Sequence, residues 1–227
     1  MAGKGVFITL EGGEGTGKST QARLLEIALK RMGADFIMTR EPGGTDQAER
    51  IRNLLIQRNS GHFDPMTEAL LLFAARREHL VNKIWPALEK GQWVVSDRFA
   101  DSTRAFQGYG MGLDQGVIES LYQTVAGQFN PDVTFIFDID PEIGLKRSLK
   151  QLQVTPDKTE STEDRYERMG LAFHQRLRKG FLDIAQKEPG RCVLIDATAD
   201  IQAIHQKIVS ILLERFDMPV SQEAQHV

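Results

Sequence analysis

The feature that most constrains the fold is a phosphate-binding motif near the start of the chain. Residues 12–19 read GGEGTGKS and match the pattern G-x-x-x-x-G-K-[ST]. An apolar run, residues 6–10, precedes the motif, and a segment with helical spacing, residues 20–25, follows it. A strand, a glycine-rich loop and a helix in this order are typical of a phosphate-binding loop (P-loop). The sequence therefore predicts an α/β fold that begins with this unit.

The motif also predicts which groups bind a nucleoside triphosphate. Backbone N–H groups of the loop and the positive end of the helix dipole attract the phosphates. Lys18 is expected to reach the β- and γ-phosphates, and the Ser19 hydroxyl to ligate Mg²⁺. The alternative is a glycine-rich turn without a ligand. The residues assigned to ATP are Gly12, Gly13, Glu14, Gly15, Thr16, Gly17, Lys18 and Ser19.

The composition is that of an ordinary globular protein. The chain has 227 residues and a net charge of −3, which gives no general attraction to nucleic acid or to an anionic membrane. No apolar run is long enough to span a membrane. One cysteine, Cys192, lies in an apolar run and is predicted to be buried. We expect a cytoplasmic protein with one domain, residues 1–218, followed by a disordered tail, residues 219–227.

Short apolar strands alternate with helices along the whole chain. The predicted strands are 6–11, 35–39, 93–97, 133–138 and 192–195. The predicted helices are 18–32, one through 48–55, 64–88 with a bend near Pro86, 114–126, 140–149, 163–185 and 201–216. Residues 98–111 are predicted to be a loop, and 151–162 a mobile loop. This alternation predicts an α/β P-loop NTPase fold, a five-stranded parallel sheet with helices on both faces and a mobile lid.

Polar segments follow the predicted strands and are expected to meet in one crevice. Ligands of parallel sheets bind at the carboxyl ends of the strands. The segments concerned are 11–19, 40–45, 97–107 and 138–140, together with Asp196.

Asp97 and Arg98 indicate the type of reaction. The fourth strand ends in Phe137-Asp138-Ile139-Asp140, without the N-K-x-D motif of a small GTPase. Asp97 can orient Mg²⁺ or its waters, and Arg98 can bind a second phosphate. A cation beside the donor phosphates favours phosphoryl transfer between two nucleotides. The alternative for this pair is an ion pair on the surface.

At this point the chain resembles the thymidylate kinase family, from residue 6 to about residue 216. The markers are the P-loop and the segments TREPGGT (39–45), LFAARREHL (72–80) and DRFADSTRAFQG (97–108). The resemblance implies the reaction ATP + dTMP → ADP + dTDP, Mg²⁺ dependence, a homodimer and a place in dTTP synthesis. The chain resembles the bacterial type of this family. Its P-loop has a glycine, Gly15, at a position where other members have an arginine.

The resemblance also implies roles at the acceptor site. Arg76 would read the thymine edge and Phe73 would stack on the base, although Leu72 or Arg77 could share these roles. Thr103 and Gln107 would bond at the base. The residues assigned to dTMP binding are Glu14, Phe73, Arg76, Arg98, Ser102, Thr103, Phe106 and Gln107. The residues assigned to catalysis are Lys18, Arg98, Asp97, Arg147, Arg165 and Glu14. The residues assigned to the metal ion are Ser19 and Asp97. Phe106 would lie under the sugar, where its bulk disfavours a ribose 2′-OH. Phe73 and Phe106 could instead be core residues, and Arg76 or Arg77 solvated helix charges.

The predicted lid, residues 146–168, departs from the family pattern. Residues 151–163 are mostly neutral or acidic rather than rich in Arg and Gly. Because position 15 is a glycine, the charge on the γ-phosphate must be met from elsewhere. We expect Arg147, and Arg165 second, to close over the phosphates. The alternative for Arg147 is an exposed helix charge.

Two other functions remain open from the sequence. One is another nucleoside or nucleoside-monophosphate kinase with the same fold, and the other is a P-loop regulator that binds ATP without turnover. For a thymidylate kinase, an apolar pocket gains only about 1–3 kcal/mol from the thymine methyl group, so dUMP should be a poor but real substrate. dCMP should be rejected more strongly, because it would leave buried polar groups unpaired.

Overall fold

The structure is a computed structural model that describes residues 5–56, 63–154, 166 and 169–216, with only the backbone for 151–154. The predicted tail, residues 219–227, lies outside the described residues. So do Arg165 and most of the segments predicted as a mobile loop and a lid.

Five strands of the described chain form one parallel sheet in the order β2-β3-β1-β4-β5. The strands are β1 (Phe7–Gly12), β2 (Phe36–Arg40), β3 (Trp93–Asp97), β4 (Val133–Asp138) and β5 (Cys192–Asp196). Each neighbouring pair is parallel, with β1 paired to β3 on one side and to β4 on the other. The predicted five-stranded parallel sheet is confirmed, and its central strand leads into the P-loop.

Helices follow the strands in the predicted order. They are α1 (Lys18–Arg31), α2 (Asp46–Ile56), α3 (Pro65–His79), α4 (Trp85–Glu89), α5 (Ala100–Thr103), α6 (Gln115–Ala126), α7 (Pro141–Val154), α8 (Leu171–Lys187) and α9 (Ile201–Arg215). Leu80–Ile84 and Arg104–Gly110 are π-helical. Asp64 caps α3 by accepting from the N–H groups of Met66 and Thr67, as its position before Pro65 predicted.

Alternate residues of the central strands face two different layers, so helices cover both faces of the sheet. Ile8 and Leu10 pack with residues of α1 and α9. Phe7 packs on the other face with residues of α3 and α6, and its ring meets Phe99 edge to face at 5.0 Å. β1 is buried along its whole length, as expected for a strand between two helical layers.

The predicted loop at 98–111 is wrong, because most of it is helical. Residues 100–110 form α5 and the second π-helical segment. The N–H groups of Phe99 and Ser102 donate to the buried carboxylate of Glu11, 2.8 and 3.2 Å away. These bonds satisfy groups that the start of a helix leaves open. They come from a strand about 90 positions earlier in the chain, and local sequence pattern does not reveal them.

Other boundaries also differ from the predictions. Of the helix predicted over 163–185, residues 163–165, 167 and 168 lie outside the described residues, and Tyr166 is helical. α8 begins at Leu171 with Gly170 as its N-cap and continues to Lys187. α7 continues to Val154 instead of ending near Leu149. A π-helical turn, Leu80–Ile84, lies just before Pro86, which has no N–H to donate; the bend predicted near Pro86 stays a prediction.

Two predictions about single features can also be compared with the structure. Cys192 is buried at the start of β5, as its apolar neighbours predicted, and burial raises the pKa of its thiol to about 12. In the described part of the chain, no helix has the length and apolar character needed to cross a bilayer.

Candidate active site

A cleft lies at the carboxyl ends of β1 and β3, where the sequence predicted a binding site. It contains about 900 Å³ of space, part of it open to solvent. Its lining residues are Glu14, Arg40, Glu41, Pro42, Arg52, Leu55, Glu68, Leu72, Arg76, Asp97, Arg98, Phe99, Ser102, Thr103, Phe106, Gln107 and Tyr166. The segments that follow β1, β2 and β3 therefore converge, as expected for a parallel sheet.

The P-loop joins β1 to α1 at one end of this cleft. Gly17 precedes α1 in a left-handed conformation (φ 83°), and no side chain of the described residues caps the N–H groups at the start of this helix. The ammonium of Lys18 donates to the carbonyl oxygens of Gly12 and Gly13, at 2.9 and 2.7 Å. It thus lies across the loop whose N–H groups are suited to a phosphate chain.

Gly15 lies at a very close approach between the P-loop and α7. Its φ is +66°, and a Cβ at this position would lie 1.9 Å from the carbonyl oxygen of Gly144. Gly144 is similarly constrained, because its Cβ would come within 2.6 Å of the carbonyl oxygen of Glu14. Both contacts are with backbone, which cannot move aside as a flexible side chain can. The structure thus has no room for a side chain at position 15.

Arg98 connects the P-loop to the cleft. Its guanidinium donates to the carbonyl oxygen of Gly12 (3.0 Å), to the Ser102 hydroxyl (3.1 Å) and to the Glu14 carboxylate (3.0 Å). Its charge lies 4.9 Å from the ring centroid of Phe106. The backbone of Arg98 is left-handed (φ 70°), a conformation that is uncommon for a residue with a side chain. The residue is largely buried, and its planar group is suited to binding a phosphate.

Glu11 holds the turn that carries Arg98. One carboxylate oxygen accepts from the N–H groups of Phe99 and Ser102, and the other bonds to the Ser102 hydroxyl at 2.6 Å. Burial, together with the nearby charge of Asp101, raises the pKa of Glu11 to about 7, although its bond to Ser102 opposes this shift. Glu11 therefore supports the position of Arg98 from below the cleft.

Arg76 is buried in the wall of the cleft, where two other side chains accept hydrogen bonds from its guanidinium. Its Nε donates to Glu41 at 2.8 Å, and one Nη donates to the Thr103 hydroxyl at 3.1 Å. Arg76 and Glu41 expose only 2% and 4% of their side chains. The other terminal nitrogen, Nη1, is buried and has no hydrogen-bond partner among the described residues. A buried donor without a partner is costly, so this nitrogen is suited to an acceptor on a ligand.

Glu41 is held in turn by His79. The Nδ1 of His79 lies 3.1 Å from Glu41, and its Nε2 lies 2.7 Å from the Thr39 hydroxyl. A carboxylate accepts, so we assign the proton of this fully buried ring to Nδ1. The residues Thr39, His79, Glu41 and Arg76 thus form a bonded series that ends at the cleft.

Gln107 belongs to the second π-helical segment and lines the same cleft. Its Nε2 donates to the buried carboxylate of Glu68 and to the Tyr166 hydroxyl, both at 3.1 Å. The Tyr166 ring packs edge to face on Phe106 with 4.7 Å between centroids. Tyr166 and Phe106 therefore form an aromatic wall close to the amide of Gln107.

Asp97 and Ser19 are the residues predicted to hold a metal ion. Asp97 ends β3, and its Oδ1 is buried without a hydrogen-bond partner among the described residues. Ser19 lies exposed in the first turn of α1. The described residues contain no group of three or more His, Cys, Asp or Glu side chains that could hold a metal ion together. An oxygen pair that leaves positions for water and phosphate fits Mg²⁺, which keeps several waters and binds few protein ligands.

The predicted lid arginines are only partly described. Arg147 donates to the carbonyl oxygen of Ala197 at 2.8 Å, so it lies beside the end of β5. Arg147 is also on α7, three positions after Gly144, which packs against the P-loop. Arg165 lies outside the described residues.

Phe73 does not have the position expected of a residue that stacks on a base. It is 2% exposed, belongs to the core beside α6 and does not line the cleft, whereas Leu72 does. Its ring instead contacts the guanidinium of Arg76, 4.9 Å from the centroid. α3 is buried on more than one side, so helical spacing alone did not distinguish the core-facing residue from its neighbour.

Glu41, Glu68 and Tyr166 are among the cleft residues that had no role in the sequence prediction. Glu68 precedes Leu72 and Arg76 by four and eight positions, so helical spacing places all three on one face of α3. Glu41 was within a recognised segment but unassigned. Tyr166 was interpreted as part of an apolar helical stripe, and nothing local distinguished it.

Comparisons with known proteins agree in pointing to one family. A family model described as thymidylate kinase matches residues 10–208. The thymidylate kinase of Caulobacter vibrioides is 45% identical over 215 residues, which cover 95% of this chain and 99% of that protein. That of Trichlorobacter lovleyi is 41% identical over 215 residues, covering 95% and 100%. A crystal structure of thymidylate kinase from Ehrlichia chaffeensis matches with a TM-score of 0.73 and 37% identity, covering 92% of this chain and 99% of that one.

Proposed function

The chain belongs to the thymidylate kinase family, and we infer that it transfers the γ-phosphate of ATP to dTMP, giving dTDP for dTTP synthesis. The P-loop would hold ATP, with the backbone of residues 12–17 and the ammonium of Lys18 around its phosphates. The cleft beside it would hold dTMP.

The position of Arg98 is the observation that carries this proposal. Its guanidinium contacts both Gly12 and Glu14 of the P-loop while lining the cleft. An acceptor phosphate bound there would lie next to the γ-phosphate of a nucleotide in the P-loop. The phosphate of dTMP is already anionic, so positioning and charge neutralisation supply most of the rate.

The far end of the cleft fits a pyrimidine base. The Nη1 of Arg76, which has no partner within the described ranges, can donate to a carbonyl oxygen of thymine, while Leu72 offers an apolar surface. Ser102, Thr103 and Gln107 supply polar groups, and Phe106, which also lines the cleft, would pack against the sugar. The thymine methyl group is worth about 1–3 kcal/mol in such a pocket, so we expect dUMP to react more slowly than dTMP.

Asp97 and Ser19 would hold Mg²⁺ together with the phosphates and water. The ion would neutralise charge on the β- and γ-phosphates. The support is the buried, unpartnered Oδ1 of Asp97 and the hydroxyl at the start of α1. Glu14, which binds Arg98, would orient that arginine toward the acceptor.

We propose that the lid contributes further positive charge. Arg147, with Arg165 second, would close over the transferring phosphoryl group. Because Arg147 now bonds to Ala197, this closure requires that bond to break. The proposed unit comprises residues 1–218 as one domain.

We also propose a homodimer formed by the outer surface of α3. Met66 and Leu70 lie one helical turn apart, and they expose 38% and 50% of their surface. Val81, in the π-helical extension of α3, is 41% exposed. Exposed apolar side chains along one helix are suited to contact with a second chain. A reducing cytoplasm fits the single buried thiol, and we propose no nucleic acid or membrane partner.

A coupled assay of ADP release tests the proposed reaction. ATP and Mg²⁺ are supplied with dTMP, dUMP, dCMP or AMP in turn. We expect kcat/KM to be highest for dTMP, lower for dUMP and lowest for dCMP and AMP. A higher value for another nucleotide would identify a different kinase of this fold. ATP binding without ADP release with any acceptor would instead favour a P-loop regulator.

A further inference from the structure

The amide of Gln107 is fixed in one of its two orientations by its neighbours. A side-chain amide has a carbonyl end that accepts and an NH₂ end that donates, and the two ends have nearly the same shape. Glu68 lies 3.1 Å from one end and is 1% exposed. An ionised carboxylate only accepts, so it selects the NH₂ end of Gln107. The Tyr166 hydroxyl accepts from the same nitrogen at 3.1 Å and donates to Glu68 at 3.5 Å. Because a hydroxyl can both donate and accept, it selects neither end of the amide without Glu68.

This orientation leaves a defined hydrogen-bonding pattern for a ligand. Since both hydrogen bonds of the Gln107 side chain to the described residues use its nitrogen, its carbonyl oxygen is the polar atom that remains for a base. Arg76 offers the opposite group, a buried N–H donor without a partner among the described residues. One donor and one acceptor in the same cleft complement a carbonyl next to a ring N–H. Thymine and uracil have this pair at O4 and N3, whereas cytosine has an amino group and an unprotonated nitrogen there.

We propose that Glu68 is a positioning residue that determines base selectivity by orienting the amide of Gln107. This inference rests on the proposed binding of the base between Arg76 and Gln107. With Glu68 ionised, turning the amide would place a carbonyl oxygen against a carboxylate, and the NH₂ group could not face the ligand. The enzyme therefore rejects a base whose N3 is an acceptor. Without the carboxylate the amide can turn and donate to that nitrogen.

The test compares dCMP with dTMP as acceptor in the full-length enzyme with ATP and Mg²⁺. In Glu68→Gln the new side chain has nearly the same shape, but it accepts or donates, so it no longer selects one orientation. We expect the ratio of kcat/KM for dCMP to that for dTMP to rise at least about tenfold, because one mismatched hydrogen bond is removed. Tyr166→Phe is the matched control. It removes the other partner of the same nitrogen, and its ratio should stay within about threefold of that of the unchanged enzyme.

The ratio is used because a smaller fraction of folded enzyme lowers the apparent kcat/KM for dCMP and for dTMP by the same factor. Thermal unfolding is recorded for each variant, and Glu68→Met, an apolar side chain of similar length, is measured beside Glu68→Gln as a second variant without the carboxylate. Gln107→Leu distinguishes the proposed role of Glu68 from the proposed binding of the base by Gln107. If Gln107→Leu changes the ratio and neither Glu68 variant does, the role of Glu68 is overturned and the base site stands. If all three leave it unchanged, the proposed base contact of Gln107 is wrong, and the inference fails with it.

Discussion

Gly15 of the P-loop and Gly144 of α7 pack backbone against backbone. A Cβ on Gly15 would lie 1.9 Å from the carbonyl oxygen of Gly144, closer than any non-bonded atom can come. α7 leads into the segment predicted as a lid, so the loop proposed to hold the donor phosphates and the base of the lid are in direct contact. The absence of a side chain at position 15 of the P-loop thus has a steric cause in the same molecule.

We predict that Gly15→Ala lowers stability and weakens ATP binding. The methyl group forces the P-loop and α7 apart, and the left-handed φ adds about 1 kcal/mol. Gly33→Ala is the matched control, because Gly33 has a similar φ of +71° but nothing within 4 Å of a Cβ. Thermal unfolding and the KM for ATP are measured for both. Equal effects of the two substitutions would show that the contact with Gly144 has no importance.

Removal of the buried Arg76 charge should affect both folding and the acceptor. Arg76→Met leaves Glu41 as a buried carboxylate without its main cation, which costs about 3–5 kcal/mol in such pairs. We expect this loss in urea unfolding and a higher KM for dTMP, with the KM for ATP little changed. Arg77→Met, at the exposed neighbouring position, is the control. A larger rise in the dTMP KM for Arg77→Met would assign base recognition to Arg77 instead.

Glu11 should make stability fall as the pH rises. Its pKa is raised from 4.5 to about 7, so the folded protein holds this proton more tightly than the unfolded chain does. The contribution of this bound proton to the free energy of unfolding is fully present below pH 4.5 and is lost as the pH rises through about 7. Glu11→Gln, which resembles the protonated form, should gain relative to the unchanged protein between pH 5 and pH 8, by on the order of 3 kcal/mol at most.

Unfolding in urea across this pH range measures the difference. Glu89→Gln, an exposed glutamate, is the control and should show no such trend. A difference between Glu11→Gln and the unchanged protein that stays constant with pH would contradict the raised pKa.

Arg147 should be needed for the transfer step rather than for folding. If it moves over the γ-phosphate, Arg147→Ala lowers kcat about 10²- to 10³-fold. Lys18→Ala should lower kcat/KM further, because Lys18 also binds the ground state. Lys146→Ala, its exposed neighbour on α7, is the control. An unchanged kcat for Arg147→Ala would leave Arg147 as a residue that bonds only to the end of β5.

The proposed dimer should depend on the exposed face of α3. Leu70→Glu places a charge on a side chain that is 50% exposed in the single chain, so it costs little in folding but opposes burial against a second chain. Sedimentation should show a shift from dimer to monomer for Leu70→Glu. Leu194→Glu, on β5 and 42% exposed, is a control with an apolar side chain elsewhere on the surface. A monomeric unchanged protein would refute the dimer itself.

Features that depend on local sequence were predictable. The glycines and Lys18 of the P-loop, the apolar strands and the Asp64-Pro65 helix start each follow from residues close together in the chain. The sheet order then brought 97–107 beside 11–19, as the rule for parallel sheets predicts. Arg76, Arg98, Thr103 and Gln107 accordingly all line the predicted cleft.

Features that depend on distant partners were not predictable. The helix at 100–103 begins where Glu11, far away in the chain, accepts two backbone N–H groups. The choice between Leu72 and Phe73 depends on what packs against each side of α3. The roles of Glu41 and Glu68 depend on the buried side chains they meet across the fold. Such long-range bonds give no periodic signal in the sequence.

The carbonyl oxygen of Gly12 accepts from both Lys18 and Arg98, at 2.9 and 3.0 Å. Lys18 is proposed to bind the donor nucleotide and Arg98 the acceptor phosphate, so both cations bond to the same atom of the central strand. Both side chains are therefore attached to a strand that is paired on both sides within the sheet. If the proposed lid opens and closes, the two cations would keep this shared contact and with it their positions relative to each other.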